Sequence, residues 1–103
     1  MEIEQLWAEA TAPLLDTGAG TAGKMFGAPC VKSAGKVVAC LFKGRLVVKL
    51  PAGRCDALAA TEGAERFDPG MGRVMREWVA VEPGRGAEWA GLVEEAHAFV
   101  TGA

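Results

Sequence analysis

The sequence predicts an α+β domain in which helices pack on an antiparallel sheet. Three observations lead to this prediction. Short apolar segments follow one another between residues 24 and 50, and glycine-bearing turns separate them. Segments with helical spacing of apolar residues lie at both ends of the chain. The 103 residues, half of them apolar, suffice for a single domain with one core, covering residues 1–103.

The chain begins with a predicted helix over residues 2–16. Its apolar residues recur at helical spacing: Ile3, Leu6, Trp7, Ala10 and Leu14. Pro13 lacks a backbone N–H and clashes with the preceding turn, so we expect the helix to kink there or to end near Ala12.

Residues 18–23 then read Gly-Ala-Gly-Thr-Ala-Gly, which matches the G-x-G-x-x-G pattern of dinucleotide sites. Such a site needs a strand before this loop and a helix after it. Here the predicted order is reversed, so we interpret the segment as a flexible connector.

Two strands are predicted next. Residues 24–32 form the first, in which Gly27 and Pro29 mark a bulge or an edge position. Residues 33–35 supply a turn. Residues 37–42 are apolar at every position, which predicts a central strand covered on both faces.

Another turn at Lys43-Gly44 leads to a third strand over residues 45–50, which alternates in hydrophobicity. Leu46, Val48 and Leu50 are expected to face a core. Arg45, Val47 and Lys49 are expected to face away from it.

The second half of the chain continues with a predicted helix over residues 52–61, bracketed by Pro51 and Gly63. Phe67 indicates a very short strand, closed by a turn at residues 68–70. The last predicted strand covers residues 74–81. It places Met75, Val79 and Val81 on one side and Arg76, Trp78 and Ala80 on the other.

A loop over residues 83–86 precedes the final helix, residues 87–100. That helix has a broad apolar stripe: Trp89, Leu92, Val93, Ala96, Phe99 and Val100. The predicted element order is therefore α-β-β-β-α-(β)-β-α, with a sheet of four to five strands.

Chemistry-bearing residues are few. The three cysteines, Cys30, Cys40 and Cys55, form no C-x-x-C pair, and His97 is the only histidine. A disulfide framework or a zinc site needs more ligands at closer spacing, so we interpret the cysteines as reduced and buried. No catalytic triad, carboxylate pair or phosphate loop is recognisable in context. We predict no metal, no cofactor, no catalytic residues and no enzymatic activity.

Charge is spread unevenly along the chain. Residues 17–55 hold seven Lys or Arg and no acid, although the net charge of the whole chain is −2. The N-terminus is acidic and no apolar run is long enough to span a membrane, so we expect a cytoplasmic protein.

Two segments carry a resemblance to a known family. The first combines Lys24-Met25-Phe26-Gly27, the turn at Gly35-Lys36 and the Leu46–Pro51 run. The second is Phe67–Val79, which is similar to a Gly-Arg-Pro-Met-Lys-x-Trp/Tyr-Val signature except that Val74 replaces the proline. Both segments resemble the N-terminal domain of the TfoX/Sxy competence regulators of bacteria. The resemblance implies a non-enzymatic regulatory or protein-interaction domain. Full-length members carry a second, C-terminal domain, so we expect a stand-alone version of the first.

The alternative hypothesis is a nucleic-acid-binding module. Its candidate binding face consists of Lys43, Arg45, Lys49, Arg73, Arg76 and Trp78. If these side chains share one face of the sheet, they form a basic surface with an aromatic platform for an unpaired base. The competing interpretation is that the charges only keep exposed strands soluble.

Assembly is a third consideration. The strand at residues 37–42 needs cover on both faces, and helices packed on one face leave the other open. Pairing with a second copy as a homodimer would supply that cover, and we predict it. The alternative is that the first helix and the connector wrap the second face within one chain.

Overall fold

A computed structural model describes residues 2–25, 27–68 and 75–102. Nine regular elements and one short 3₁₀ helix occupy these residues. They are α1 Ile3–Asp16, β1 Thr21–Met25, β2 Ala28–Ser33, β3 Lys36–Phe42, β4 Arg45–Lys49, α2 Ala52–Ala59, β5 Ala64–Phe67, β6 Met75–Val81, the 3₁₀ helix Pro83–Glu88 and α3 Trp89–Thr101. The α+β class and the antiparallel sheet are confirmed. The sheet has six strands, rather than four to five, in the order β1-β2-β3-β4-β6-β5.

Glycine-bearing turns join the middle strands as predicted, although Ser33, predicted as part of the first turn, belongs to β2. Ala34 and Gly35 link β2 to β3, and Lys43 and Gly44 link β3 to β4. All four residues have a positive φ, between 53° and 78°. Two successive positive φ values are typical of the type I′ turn, whose twist matches that of paired antiparallel strands. Glycine at the second position of each turn meets this requirement without strain.

The N-terminal region differs from the prediction in three respects. Helix α1 continues past Pro13 to Asp16. Because Pro13 is exposed and lies in the last turn, its missing N–H removes only one late hydrogen bond. The second half of the expected connector forms β1 and pairs with β2. Gly27, with φ of 74°, lies in the turn of this hairpin rather than at a bulge.

Three helices cover one face of the sheet, which we call the first face. Its core joins strand residues such as Val31, Leu46 and Val79 to residues of every helix. The helix residues that are buried there are Ala10, Leu14, Cys55, Leu58, Trp89, Leu92, Val93 and Ala96. Burial of this apolar surface is the main force that holds the layers together.

The other face of the sheet, the second face, has a separate apolar cluster made of strand residues only. Its buried members are Cys30, Cys40, Val47, Phe67, Trp78 and Ala80. Met25, Val37, Phe42 and Met75 pack against them and are partly exposed. Strand β3 is therefore apolar on both sides, as predicted. The alternative in which α1 and the connector wrap the second face is wrong, because α1 packs into the first-face core and the connector extends the sheet edge.

Two irregularities change which face a side chain occupies. In β3, Val38 is an extra residue between two register pairs, Val31–Ala39 and Lys32–Val37. Because of this bulge, Val38 and Ala39 both join the first-face core. In β6, the register shifts opposite Arg66 and Phe67. Met75 consequently packs on the second face with Phe67, and its predicted place beside Val79 and Val81 is wrong.

The remaining expectations need smaller corrections. Helix α2 ends at Ala59, two residues before the predicted Thr61. The predicted loop over residues 83–86 is part of the 3₁₀ helix, and α3 begins at Trp89 rather than at residue 87. Of the turn predicted at residues 68–70, only Asp68 is among the described residues. Val74 also lies outside them.

Candidate interaction face

Strand β4 presents its basic residues on the second face. The register pairs Arg45 with Phe42, Val47 with Cys40, and Lys49 with Trp78. Residues directly opposite each other in an antiparallel pair point to the same side of the sheet. The predicted grouping of Arg45, Val47 and Lys49 on one face is therefore confirmed. Val47 is fully buried there, within a second core that the prediction did not include.

Lys49 and Trp78 form the closest pairing among the candidate residues. The Lys49 Nζ lies 5.8 Å from the centroid of the Trp78 ring. This distance is typical of a cation–π contact, worth about 0.5–1 kcal/mol at an exposed site. Trp78 is only 8% exposed. Little of its ring is open for stacking with a base, so Trp78 supports the face from beneath instead of forming a platform on it.

Arg45 lies on the same face, but acidic side chains neutralise its charge. Its Nη1 donates a hydrogen bond to Glu65 of β5, the strand beyond β6, and its Nε lies 4.0 Å from a carboxylate oxygen of Glu82. A guanidinium with two carboxylates around it contributes little positive potential to a ligand. Both acids lie far from Arg45 in sequence, so spacing within the basic segment could not reveal them.

The other candidate residues are more dispersed. Lys43 lies in the β3–β4 turn, with its Nζ 5.3 Å from the centroid of the Phe42 ring. That ring in turn meets Phe67 edge to face, with centroids 5.5 Å apart. Arg76 is exposed near the start of β6. Arg73 lies outside the described residues.

Sequence reasoning missed Lys32 and the outer apolar layer of the second face. Lys32 pairs with Val37 in the register, and its Cε lies 3.2 Å from where a Cβ on Gly23 would be. Met25, Val37, Phe42 and Met75 complete this layer. Alternation within β2 places Lys32 on the same face as Cys30, but the single strand predicted over residues 24–32 does not separate β1 from β2.

None of the five lysines between Lys24 and Lys49 forms an ion pair with another described residue. By contrast, four arginines do. Their carboxylate partners are Glu65 and Glu82 for Arg45, Glu95 for Arg54, Asp56 for Arg66 and Glu88 for Arg85. Between residues 24 and 49, the positive charge without a described carboxylate partner therefore resides on lysines, and Lys32 and Lys49 bring it to the second face.

The cysteines lie on opposite sides of the sheet. Cys30 and Cys40 belong to the second face, whereas Cys55 is on the buried side of α2, in the first-face core. Burial raises the pKa of Cys55, and burial also raises the pKa of Cys40, to about 12. His97 is part of α3, so the sheet separates it from Cys30 and Cys40. These residues do not form a Cys–His nucleophile pair of the kind that catalysis requires.

Among the described residues, one open depression combines charges of both signs. This depression, of about 560 Å³, lies where the β3–β4 turn meets the 3₁₀ helix, and its lining includes Lys43, Arg45 and Glu82. Within residues 2–25, 27–68 and 75–102, no three His, Cys, Asp or Glu side chains lie close enough together to hold a metal ion. This geometry indicates a contact surface more than an enclosed ligand site.

Comparison with known proteins adds no assignment, because no family model, no curated protein and no solved structure matches the chain. No helix in the described part of the chain is both long and apolar enough to cross a bilayer.

Proposed function

We propose that this chain is a small non-enzymatic regulatory domain that acts by binding protein, and that it pairs with a second copy of itself. The observation that carries the proposal is the second face, where strand residues alone form an apolar cluster and no described helix residue joins it. The proposal also adopts what the resemblance to TfoX/Sxy N-terminal domains implies, including a cytoplasmic location in a bacterium.

The composition of the second face fits a protein contact. Partly exposed Met25, Val37, Phe42 and Met75 form its outer layer, and Lys32 and Lys49 flank them. Methionine and aromatic residues are enriched in protein interfaces, whereas charged residues are depleted from interface cores and the rim is polar. A twofold dimer would place this layer against itself and remove it from water.

The experiment that tests the homodimer is sedimentation of the purified chain over a range of concentrations, with a variant on each face of the molecule. Val37→Glu places a carboxylate on the second face directly opposite Lys32, which can pair with it in a monomer. Burial of that charge in a dimer is costly. We expect the wild type to have the mass of a dimer and Val37→Glu to have that of a monomer.

Leu15→Glu is the matched control. Leu15 is the only large apolar side chain among the described residues that is freely exposed, and it belongs to α1, away from the second face. This variant should remain dimeric. A wild type that sediments as a monomer at all concentrations contradicts the homodimer, and loss of the dimer in Leu15→Glu alone places the interface elsewhere.

The second candidate function is nucleic-acid binding, and the observation that favours it is the set of five lysines without acidic partners among the described residues. Affinity that rests on phosphate contacts falls steeply as salt rises. Binding of a single-stranded oligonucleotide should then weaken in Lys32→Gln and Lys49→Gln. Arg54→Gln, which alters a paired charge on α2, should leave it unchanged. Absence of binding at about 50 mM salt rules out this candidate.

A further inference from the structure

Cys30 and Cys40 occupy directly opposite positions on neighbouring antiparallel strands. Both side chains belong to the second-face cluster, so they point to the same side of the sheet. Opposite residues in an antiparallel pair have Cα atoms about 4.5 or 5.5 Å apart, depending on the type of pair. Both distances fall within the range of about 4.4–6.8 Å that a disulfide requires. The backbone therefore already has the spacing for a Cys30–Cys40 bond.

The surroundings of the two thiols differ. Burial, and next the charge of nearby Cys30, raise the pKa of Cys40 to about 12. Burial also raises the pKa of Cys30, but the positive charge of Lys32 lowers it in part. Because the thiolate is the nucleophile, Cys30 is the thiol better suited to react first. Cys40 is then placed opposite it to complete the bond.

Access to Cys30 depends on the edge of the sheet. On the side of β2 away from β3, Cys30 pairs with Gly23 of β1. A Cβ at Gly23 would lie 3.5 Å from the Cys30 Sγ. Strand β1 is an edge strand of the described sheet, and Thr21, Ala22 and Lys24 are exposed. A strand with so few buried side chains opens locally at low cost. Opening of β1 uncovers Cys30 while β2 and β3 stay paired.

We propose that Cys30 and Cys40 are a modification site at which hydrogen peroxide produces a reversible intramolecular disulfide. The Cys30 thiolate attacks the peroxide, the O–O bond breaks, and sulfenic acid forms on Cys30. Hydroxide leaves and takes up the proton that Cys30 released, giving water. The Cys40 sulfur then attacks the Cys30 sulfur, the S–S bond forms, and the S–O bond breaks. The departing hydroxide takes the Cys40 proton as a second water, and two electrons have passed from the thiols to the peroxide.

The disulfide goes beyond the proposed protein-binding function, and because both cysteines lie on the second face that a homodimer would cover, peroxide should reach Cys30 through the opened β1 edge. The disulfide would be reduced again by an ordinary dithiol, in keeping with the transient disulfides of reducing compartments. Cys55 lies on the first face and has no cysteine opposite it, so it provides an internal control.

The test is treatment of the native wild-type chain with hydrogen peroxide, followed by alkylation and peptide mapping by mass spectrometry. We expect a protein lighter by about 2 Da, with Cys30 and Cys40 linked and Cys55 still free to be alkylated after unfolding. Dithiothreitol should restore the original mass. Because this measurement uses the unmodified sequence, it does not depend on the folding of any variant.

Two variants identify the order of attack. In Cys40→Ala, the sulfenic acid on Cys30 has no partner, so dimedone should label Cys30. Cys55→Ala should still form the Cys30–Cys40 disulfide. The proposal is overturned if Cys30 and Cys40 both remain alkylatable after peroxide treatment, whether or not Cys55 is oxidised. It is also overturned if Cys30 of the wild type proceeds to sulfinic acid without a linked peptide.

Discussion

Replacing Gly20 with alanine tests how tightly α1 is fixed to the sheet. A Cβ at Gly20 would lie 3.0 Å from the Val31 Cγ2, 3.2 Å from the Leu14 Cβ and 3.2 Å from the Lys32 carbonyl oxygen. All three distances are shorter than ordinary van der Waals contact. Two of the three atoms belong to a backbone or to a Cβ, so they cannot move aside by side-chain rotation alone.

The expected magnitude follows from two opposing effects. Overpacking of this kind costs about 1–3 kcal/mol. Replacement of glycine also reduces the conformational freedom of the unfolded chain, which offsets about 0.4–1 kcal/mol. We therefore expect Gly20→Ala to lower the free energy of unfolding by about 1–2 kcal/mol. For a domain of this size, each kcal/mol corresponds to roughly 4–8 °C in Tm.

Urea unfolding followed by tryptophan fluorescence measures this change, and an unaltered denaturant slope verifies that only stability has changed. Gly91→Ala is the matched control, because Gly91 lies within α3 and a Cβ there would meet no atom within 4 Å. Its higher helix propensity should stabilise the chain by about 0.5–1 kcal/mol. If Gly20→Ala is as stable as the wild type, the contact between α1 and the β1–β2 hairpin is looser than described, and the reasoning fails.

Two further predictions concern the cores. Since the pKa of Cys40 rises from 9.0 to about 12, the folded chain keeps a thiol at alkaline pH where the unfolded chain carries a thiolate. The contribution of Cys40 to the free energy of unfolding is therefore fully present below pH 9. Between pH 9 and pH 12 this contribution falls by about 1.4 kcal/mol per pH unit. Urea titrations at a series of pH values measure this change. The free energy of unfolding should fall less steeply with pH in Cys40→Ala than in the wild type, and an equal fall in both would contradict the assignment to Cys40. Leu46→Ala should lower the free energy of unfolding by about 3–5 kcal/mol, because Leu46 is fully buried. Leu15→Ala, on the exposed side of α1, should lower it by under about 0.5 kcal/mol in the same urea assay.

Much of the fold could be predicted because local chemistry specifies it. The turns at Ala34-Gly35 and Lys43-Gly44 are short and contain glycine where a positive φ is required. The apolar run of β3 and the alternation of β4 then identify the strands on either side. In each case the residues that form the turn or strand also carry the sequence pattern that predicts it.

Strand β1 could not be predicted for the opposite reason. Its sequence, Thr-Ala-Gly-Lys-Met, has neither an apolar run nor clear alternation, and its residues are mostly exposed. Pairing with β2 holds the strand in place, and that pairing depends on the turn at Gly27. A strand stabilised mainly by backbone hydrogen bonds leaves a weak pattern in its side chains.

The candidate site was predictable only in part. The shared face of Arg45 and Lys49 followed from alternation, and the contact of Lys49 with Trp78 is consistent with it. The ion pairs of Arg45 with Glu65 and Glu82 depend on the pairing of β6 with β4 and of β5 with β6. Contacts between residues so distant in sequence are decided by tertiary packing, which the spacing within one segment does not report.

The strand order has a consequence for how the chain folds. Strands β1 to β4 are neighbours both in sequence and in the sheet, and short turns join them. Each of these hairpins closes a short loop, so little chain entropy is lost at each step. Pairing of β4 with β6 instead requires the chain to span α2 and β5 first. We expect the four-stranded meander to assemble early, while β6 and α3 join later and determine the overall rate of folding.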